Sequence, residues 1–303
     1  MWIENVHSHH QESPTVARKQ TFRALGKMLW DAAKMWLDKK SPRLGASLSY
    51  YAVFSIAPTL LVALSIAGLV LGSDAAQGRV LDELKTVLGP DAAQLVQTML
   101  AKSSEQKSGI VGSIVGIVTL ILGATAVMVE LQAALDILWD TAPRTSGIKA
   151  LIKERILSLA LVLTVGFLLV VSLLVSAAMV AVSNSLGRYM PGMVVLGTIL
   201  NNVVSFGVLT VFFALVFKYL PNAKVAWKDV WMGGLLTSAL FQLGRALIAL
   251  YIGRAGVSST FGAAGSLAVL LVWVYYSSQI VLMGAAVTRL WAERFGGGAP
   301  RGT

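Results

Sequence analysis

The chain has no cysteine, which excludes disulfides and thiolate chemistry. Histidine is confined to His7, His9 and His10. No His-based dyad, triad or metal site can therefore be assembled further along. The three tail imidazoles read either as a weak metal binder or as part of a floppy tail. Charged residues make up only 13%, where a soluble domain carries about a quarter. No HExxH, GxSxG or P-loop pattern occurs. The carboxylates Glu130, Asp136 and Asp140 are poorly placed for a metal, since Glu130 sits about 120° from Asp136 on a helical wheel. No enzyme chemistry and no cofactor are expected.

What the chain does have is six long apolar runs. They start near Tyr50, Ile110, Ile156, Met193, Val230 and Ala263, and end near Leu71, Leu138, Val182, Phe217, Ile252 and Leu290. The chain is 56% hydrophobic, with a mean hydropathy of +0.72. A span needs roughly 20 mostly apolar residues, and a helix satisfies its own backbone in lipid. The fold class expected is all-α: a polytopic bundle of six transmembrane helices. The first 40 residues are too polar for a cleaved signal peptide, so the first span reads as an uncleaved anchor.

The net charge of +10 is a topology signal rather than a footprint for nucleic acid. Eighteen Lys/Arg fall in the N-terminal segment, in the connections after runs two and four, and in the C-terminal tail. Six fall in the other connections, and Arg245 lies within a span. By the positive-inside rule both termini face the cytoplasm, with membrane lipids as the first partners. The oligomeric state is not legible.

Residues 1–40 divide into a disordered tail, to Thr15, and a basic helix. From Val16 to Lys40, Phe22, Leu25, Leu29, Ala32 and Trp36 recur at steps of three and four among basic residues. Such a helix either lies in the membrane interface or packs on the domain's own loops. The membrane domain is expected over 41–291, with 292–303 a flexible tail. Ser41-Pro42 reads as N-cap and first helical residue. Pro58 interrupts the first apolar helix and frees the Phe54 carbonyl. That is either a tolerated packing kink or one wall of a polar cavity beside Tyr50, Tyr51 and Ser55. The long connection 73–108 reads as two short helices marked by Val80, Leu84 and Leu88 and by Leu95 to Leu100. Gly112 and Gly116 offer a close helix approach. Asp229 reads as an N-cap.

Polar groups inside the runs carry the functional expectation. Glu130, Arg245, Gln242 and Gln279 are the main ones, and an intramembrane charge costs on the order of 3 kcal/mol. Glu130 lies roughly 30 Å down its helix and Arg245 roughly 10 Å from the outer end of its own, too far apart for a simple ion pair. Glu130 fits the inner interface. Arg245 fits either an anionic group in a polar cavity or snorkelling to headgroups. The candidate substrate contacts are Arg245, Tyr50, Tyr51, Ser55, Gln242 and Gln279. Pro58, Glu130 and Asp136 are candidate structural or gating residues.

Three stretches give the chain a likeness to a known family. They are GASLSYYAVFSIAPTLL from Gly45, LILGATAVMVELQAALDILW ending at Trp139, and a long third stretch from Lys218 to Thr288. The third includes KYLPNAKVAWKDV, LYIGRAGVSSTFGAAGSLAVLLVWVYYSSQI and LMGAAVT. The chain resembles the YihY/virulence factor BrkB family, once labelled ribonuclease BN, over Ser41 to Trp291. The resemblance implies six helices, cytoplasmic termini and an envelope role, with lipid or lipid-linked transport among the proposals. The ribonuclease label finds no support in these residues. The family commonly reads Gly-Ala-Glu where this chain has Gly284-Ala285-Ala286, so a role for that carboxylate does not carry over. The function expected is transport or binding of an anionic amphipathic substrate, such as a lipid or envelope precursor. The alternative is a non-transporting scaffold or assembly factor.

Overall fold

A computed structural model describes the backbone of residues 14–71, 90–104, 110–141, 192–255 and 257–296, with 77–78, 80–82, 84–85 and single positions or pairs between 156 and 171. Among the described residues every regular element is helical. The helices are α1 (Pro14–Asp38), α2 (Ser41–Leu71), α3 (Pro90–Ser104), α4 (Ile110–Trp139), α5 (Gly192–Tyr219), α6 (Trp227–Ala255) and α7 (Val257–Phe295). The apolar run 156–182 lies almost wholly outside the described residues, as do residues 1–13.

Three described segments are long and apolar enough to cross a bilayer: Ile121–Trp139, Asn202–Tyr219 and Leu267–Phe295. Helices α2 and α6 run for 31 and 29 residues. The long connection is not structureless. Residues 77–78, 80–82 and 84–85 are helical, and α3 packs on α2 and α7. Val96 and Leu100 are buried there against Leu270 and Trp273.

Helix starts differ from the sequence reading in an informative way. Lys40 adopts a left-handed conformation, with φ of 54°. Its amide closes α1 on the Leu37 carbonyl, and its carbonyl accepts the first bonds of α2 from Arg43 and Leu44. Lys40 is therefore the N-cap. The Ser41 hydroxyl is buried and unbonded among the described residues. In α6, Ala226 accepts from the Asp229 and Val230 amides. Asp229 thus sits inside the first turn, where a carboxylate still meets the positive end of the helix. Helix α7 also outruns its apolar stretch at both ends.

Lipid gives apolar helices little reason to associate, so close backbone approach has to supply the attraction. Glycines provide it here. A methyl group placed on Gly123 of α4 would lie 2.8 Å from Pro58 Cγ and 3.7 Å from the Phe54 carbonyl oxygen. The ring of Pro58 thus packs against the backbone of α4 at Gly123. The neighbours of Gly112 and Gly116 lie outside what the structure describes. Between α6 and α7 the fit is reciprocal. Thr288 fills the gap over Gly233, and Thr237 fills the gap over Gly284. Each threonine hydroxyl also donates to the glycine carbonyl one turn earlier on its own helix, at 2.6 Å for Thr237 and 2.7 Å for Thr288.

Helix α7 packs against each of the other six described helices. The main core joins Met28 and Ala32 of α1, Leu48 of α2, Leu135 and Leu138 of α4, Phe217 of α5, Val230 of α6 and Leu282 of α7. Ala286 is wholly buried within it. An aromatic run, Phe213–Phe241–Trp273, links this core to the α3 cluster through ring centroids 5.9 and 5.7 Å apart.

Candidate functional site

One end of the bundle gathers its charges. The carboxylate of Asp136, at the end of α4, accepts from the Thr141 hydroxyl at 2.9 Å, the Asn222 amide at 2.7 Å and the Asn222 side chain at 2.6 Å. It thereby ties α4 to the α5–α6 connection. Asp140, left-handed at φ 50°, pairs with Lys39 and with Arg289 Nη1 at 2.8 Å. Arg289 also bonds the Leu138 carbonyl and Glu293, while Arg294 pairs with Asp31. Helices α1, α4 and α7 are thus pinned together around an open cleft of about 450 Å³ lined by Asp31, Lys34, Asp38 and Lys39 among others. The hydrogen bond from Lys39, then that from Arg289, holds the Asp140 carboxyl below its ordinary range.

The Arg289–Leu138 bond sets α4 and α7 in register. Counting back along each helix, Glu130 lies roughly 12 Å and Gln279 roughly 15 Å from that bond. They share a depth, and α2 meets both there. The Ser47 hydroxyl donates to Glu130 at 2.6 Å. Gly45 faces Gln279, whose amide occupies the space a side chain would take. Both polar atoms of Gln279 are buried and unbonded among the described residues, as is the Ser277 hydroxyl. Ser49, also buried, donates to the Gly45 carbonyl at 2.8 Å. This polar layer between α2, α4 and α7 contains Glu130 and Gln279 from the sequence reading, and adds Ser47 and Gly45.

The remaining candidates are distributed differently. Tyr50, Tyr51 and Phe54 are exposed, and the Tyr50 ring makes edge contacts with both of the others. Arg43, Ser47, Tyr50 and Phe54 fall on one side of α2 at steps of three and four, with Arg43 also exposed. The stripe runs from a cation past the Ser47–Glu130 pair to an aromatic cluster. Ser55 lies on the buried side of α2, 3.2 Å from the Thr59 hydroxyl. Gln242 and Arg245 are half-buried on α6. Arg245 is engaged in an interaction of its own. Glu130, Asp136 and Asp140 each serve a separate set of partners. Sequence reasoning missed Ser47, Asn222 and Arg289. It also missed the paired Gly-x-x-x-Thr spacings, Gly233–Thr237 and Gly284–Thr288, which were there to be read.

The family model described as "Virulence factor BrkB" matches residues 32–302. A UPF0761 membrane protein of Verminephrobacter eiseniae is 31% identical over 265 residues, covering 85% of this chain and 60% of that protein. One from Albidiferax ferrireducens is 30% identical over 291 residues, covering 92% of this chain and 68% of its own length. One from Pseudomonas aeruginosa is 27% identical over 271 residues, covering 86% and 63%. The chain thus spans about two thirds or less of the length of these relatives. No solved structure matches. The match over nearly the whole helical domain, in a chain whose helices are long and apolar enough to cross a bilayer, means that this protein belongs to the virulence factor BrkB family of membrane proteins.

Proposed function

We propose that this chain is a six-span protein of the bacterial inner membrane, with both termini cytoplasmic, that binds and moves an anionic amphipathic molecule such as a lipid or envelope precursor. One observation carries the reading: the exposed stripe on α2. An amphiphile needs a cation for its head and a flat apolar surface for its tail. Arg43 and the Tyr50, Tyr51 and Phe54 rings provide that order along one helix face. The Ser47–Glu130 pair borders the stripe, and a carboxylate there discourages an anionic head from settling beside it. The head is held at the basic end or passed on. Arg245, with Gln242, is the second candidate contact for the head, since guanidinium binds carboxylate or phosphate in bidentate fashion. Support for the orientation comes from the gathering of Lys39, Arg289 and Arg294 at one end, as the positive-inside rule requires of a cytoplasmic face.

The alternative, a non-transporting assembly factor, is favoured by the apolar side of α5 and α6. There Ile199, Leu200, Val203, Leu235, Leu243 and Leu247 are exposed. The test is mass spectrometry of lipids that co-purify with the full chain. Enrichment of one anionic class over bulk membrane, lost in Arg43→Ala or Arg245→Ala, supports transport or binding. A profile equal to bulk membrane in all three proteins removes the substrate reading and leaves the scaffold.

A further inference from the structure

Helix α1 has two apolar sides, and the bundle uses only one. Met28 and Ala32 are buried in the main core, with Met35 and Trp36 packed beside them. On the opposite side Trp30 is 63% exposed and Leu37 60%. These two are seven residues apart and fall almost in line on a helical wheel. Lys27 is exposed toward the same side, and Lys34, at the edge of the cleft beside Asp38, has its Nζ 5.6 Å from the Trp30 ring centre. Exposed Lys40 and Arg43 follow at the start of α2. The apolar stripe read from sequence, Phe22 to Trp36, is therefore divided from Leu25 onward, the Phe22 side chain lying outside the described residues. Ala32 and Trp36 turn to the bundle, while Leu25 and Leu29 lie at the rim, each about two-fifths exposed.

Two ties hold α1 at one end of the bundle. The Arg294–Asp31 and Lys39–Asp140 pairs hold α1 against the ends of α7 and α4, both of which carry spanning segments. The same end of the bundle carries exposed Tyr219, Trp227 and Trp231, with Lys218 Nζ 5.8 Å from the Trp227 ring centre. Exposed Tyr and Trp interleaved with Lys mark the level of lipid headgroups. Helix α1 is tied to the same end, and its free side repeats the pattern.

We infer that the outer face of α1, formed by Trp30 and Leu37 with Lys27 and Lys34, docks onto the anionic headgroup layer of the leaflet at the basic end of the bundle. The indole and leucyl groups enter the headgroup–acyl boundary, and the ammonium groups pair with lipid phosphates. The docking helix then rests on the membrane with one face and on the bundle with the other. This contact does not depend on which substrate the protein handles, and its test reads different residues.

Because the chain has no cysteine, single cysteines at Trp30 and Leu37 can be spin-labelled uniquely in the full protein. The protein is reconstituted in phosphatidylcholine vesicles with and without phosphatidylglycerol. Collision with oxygen is compared with collision with a water-soluble nickel chelate, and Lys224→Cys serves as the aqueous reference. Labels at 30 and 37 are expected to favour oxygen, more strongly with phosphatidylglycerol. At about fivefold per basic residue near an anionic surface, Lys27→Gln with Lys34→Gln lowers docking roughly 30-fold. Water-like labels in both vesicles overturn the inference. Labels shielded from both reagents place a protein surface, such as a second copy of the chain, on this face and also overturn it. So does immersion that ignores both phosphatidylglycerol and the lysine changes.

Discussion

The reciprocal threonine–glycine fit between α6 and α7 sets a quantitative expectation. Replacing Gly284 with alanine places Cβ 1.9 Å from Thr237 Oγ1 and 3.2 Å from Phe217 Cζ. Replacing Gly233 places it 1.7 Å from Thr288 Oγ1 and 2.9 Å from Thr288 Cβ. Neither threonine can simply rotate. Its hydroxyl is held by its own helix, and another χ1 rotamer brings the methyl group into the same space. The helices must separate, and overpacking of this kind costs about 1–3 kcal/mol. Glycines in open space reverse the sign. Gly26 and Gly207 have nothing within 4 Å of the missing methyl group, so alanine there is neutral or stabilises by up to about 1 kcal/mol. The assay is reversible unfolding of the purified protein in detergent, run as a double-mutant cycle. Thr237→Ala alone loses a hydrogen bond worth about 1 kcal/mol. In Gly284→Ala with Thr237→Ala the two losses are expected to fall short of their sum by 1 kcal/mol or more, since residues in contact couple on that scale. If Gly284→Ala is as stable as Gly207→Ala, or if the two changes are additive, the close approach is wrong.

Three further outcomes follow from the same structure. Single cysteines at Gln97 on α3 and Lys224 in the α5–α6 connection, both exposed, should differ in intact cells: Gln97→Cys labels with an impermeant reagent and Lys224→Cys does not, and the reverse pattern sinks the orientation. Asp140 has a lowered folded-state pKa through Lys39 and then Arg289, so its contribution is complete above the unfolded carboxylate value of about 3.9 and is lost as pH falls through the lowered value. The exposure of Asp140 limits this contribution to about 1 kcal/mol or less, and spin-label mobility on α1 during acid titration should show a loosening that Asp140→Asn abolishes. Ser47→Ala removes the donor to Glu130 and should cost roughly 1–2 kcal/mol in the same unfolding assay. Ser47→Ala should cost much less in a Glu130→Gln background, and equal losses in the two backgrounds would break the proposed pair.

Much of the scaffold was legible because a bilayer imposes length. The runs from Ile110 to Leu138 and from Met193 to Phe217 became α4 and α5 with ends shifted by at most two residues. The start of α7 was not legible. The apolar run reads from near Ala263, yet the helix begins at Val257, since small residues are at home in a membrane helix packed on neighbours. The helix starts were misread for a different reason: Ser41 and Asp229 have the chemistry of a cap, but the tight turn at Lys40 and the preceding Ala226 took the role. Polar pairings were the least legible. Nothing local links Ser47 to Glu130, or Asp136 to Asn222, because those partners are set by tertiary register rather than by spacing.

The contacts of α7 bear on how such a protein can move. A helix that touches all six of its described neighbours behaves as a mast rather than a door. Turning it would unseat threonines from glycines on one side and arginines from carboxylates on another, all at once. Among the described helices α5 packs chiefly on α6 and touches α7 little. Any rearrangement of this frame is therefore least disruptive where it leaves α7 in place.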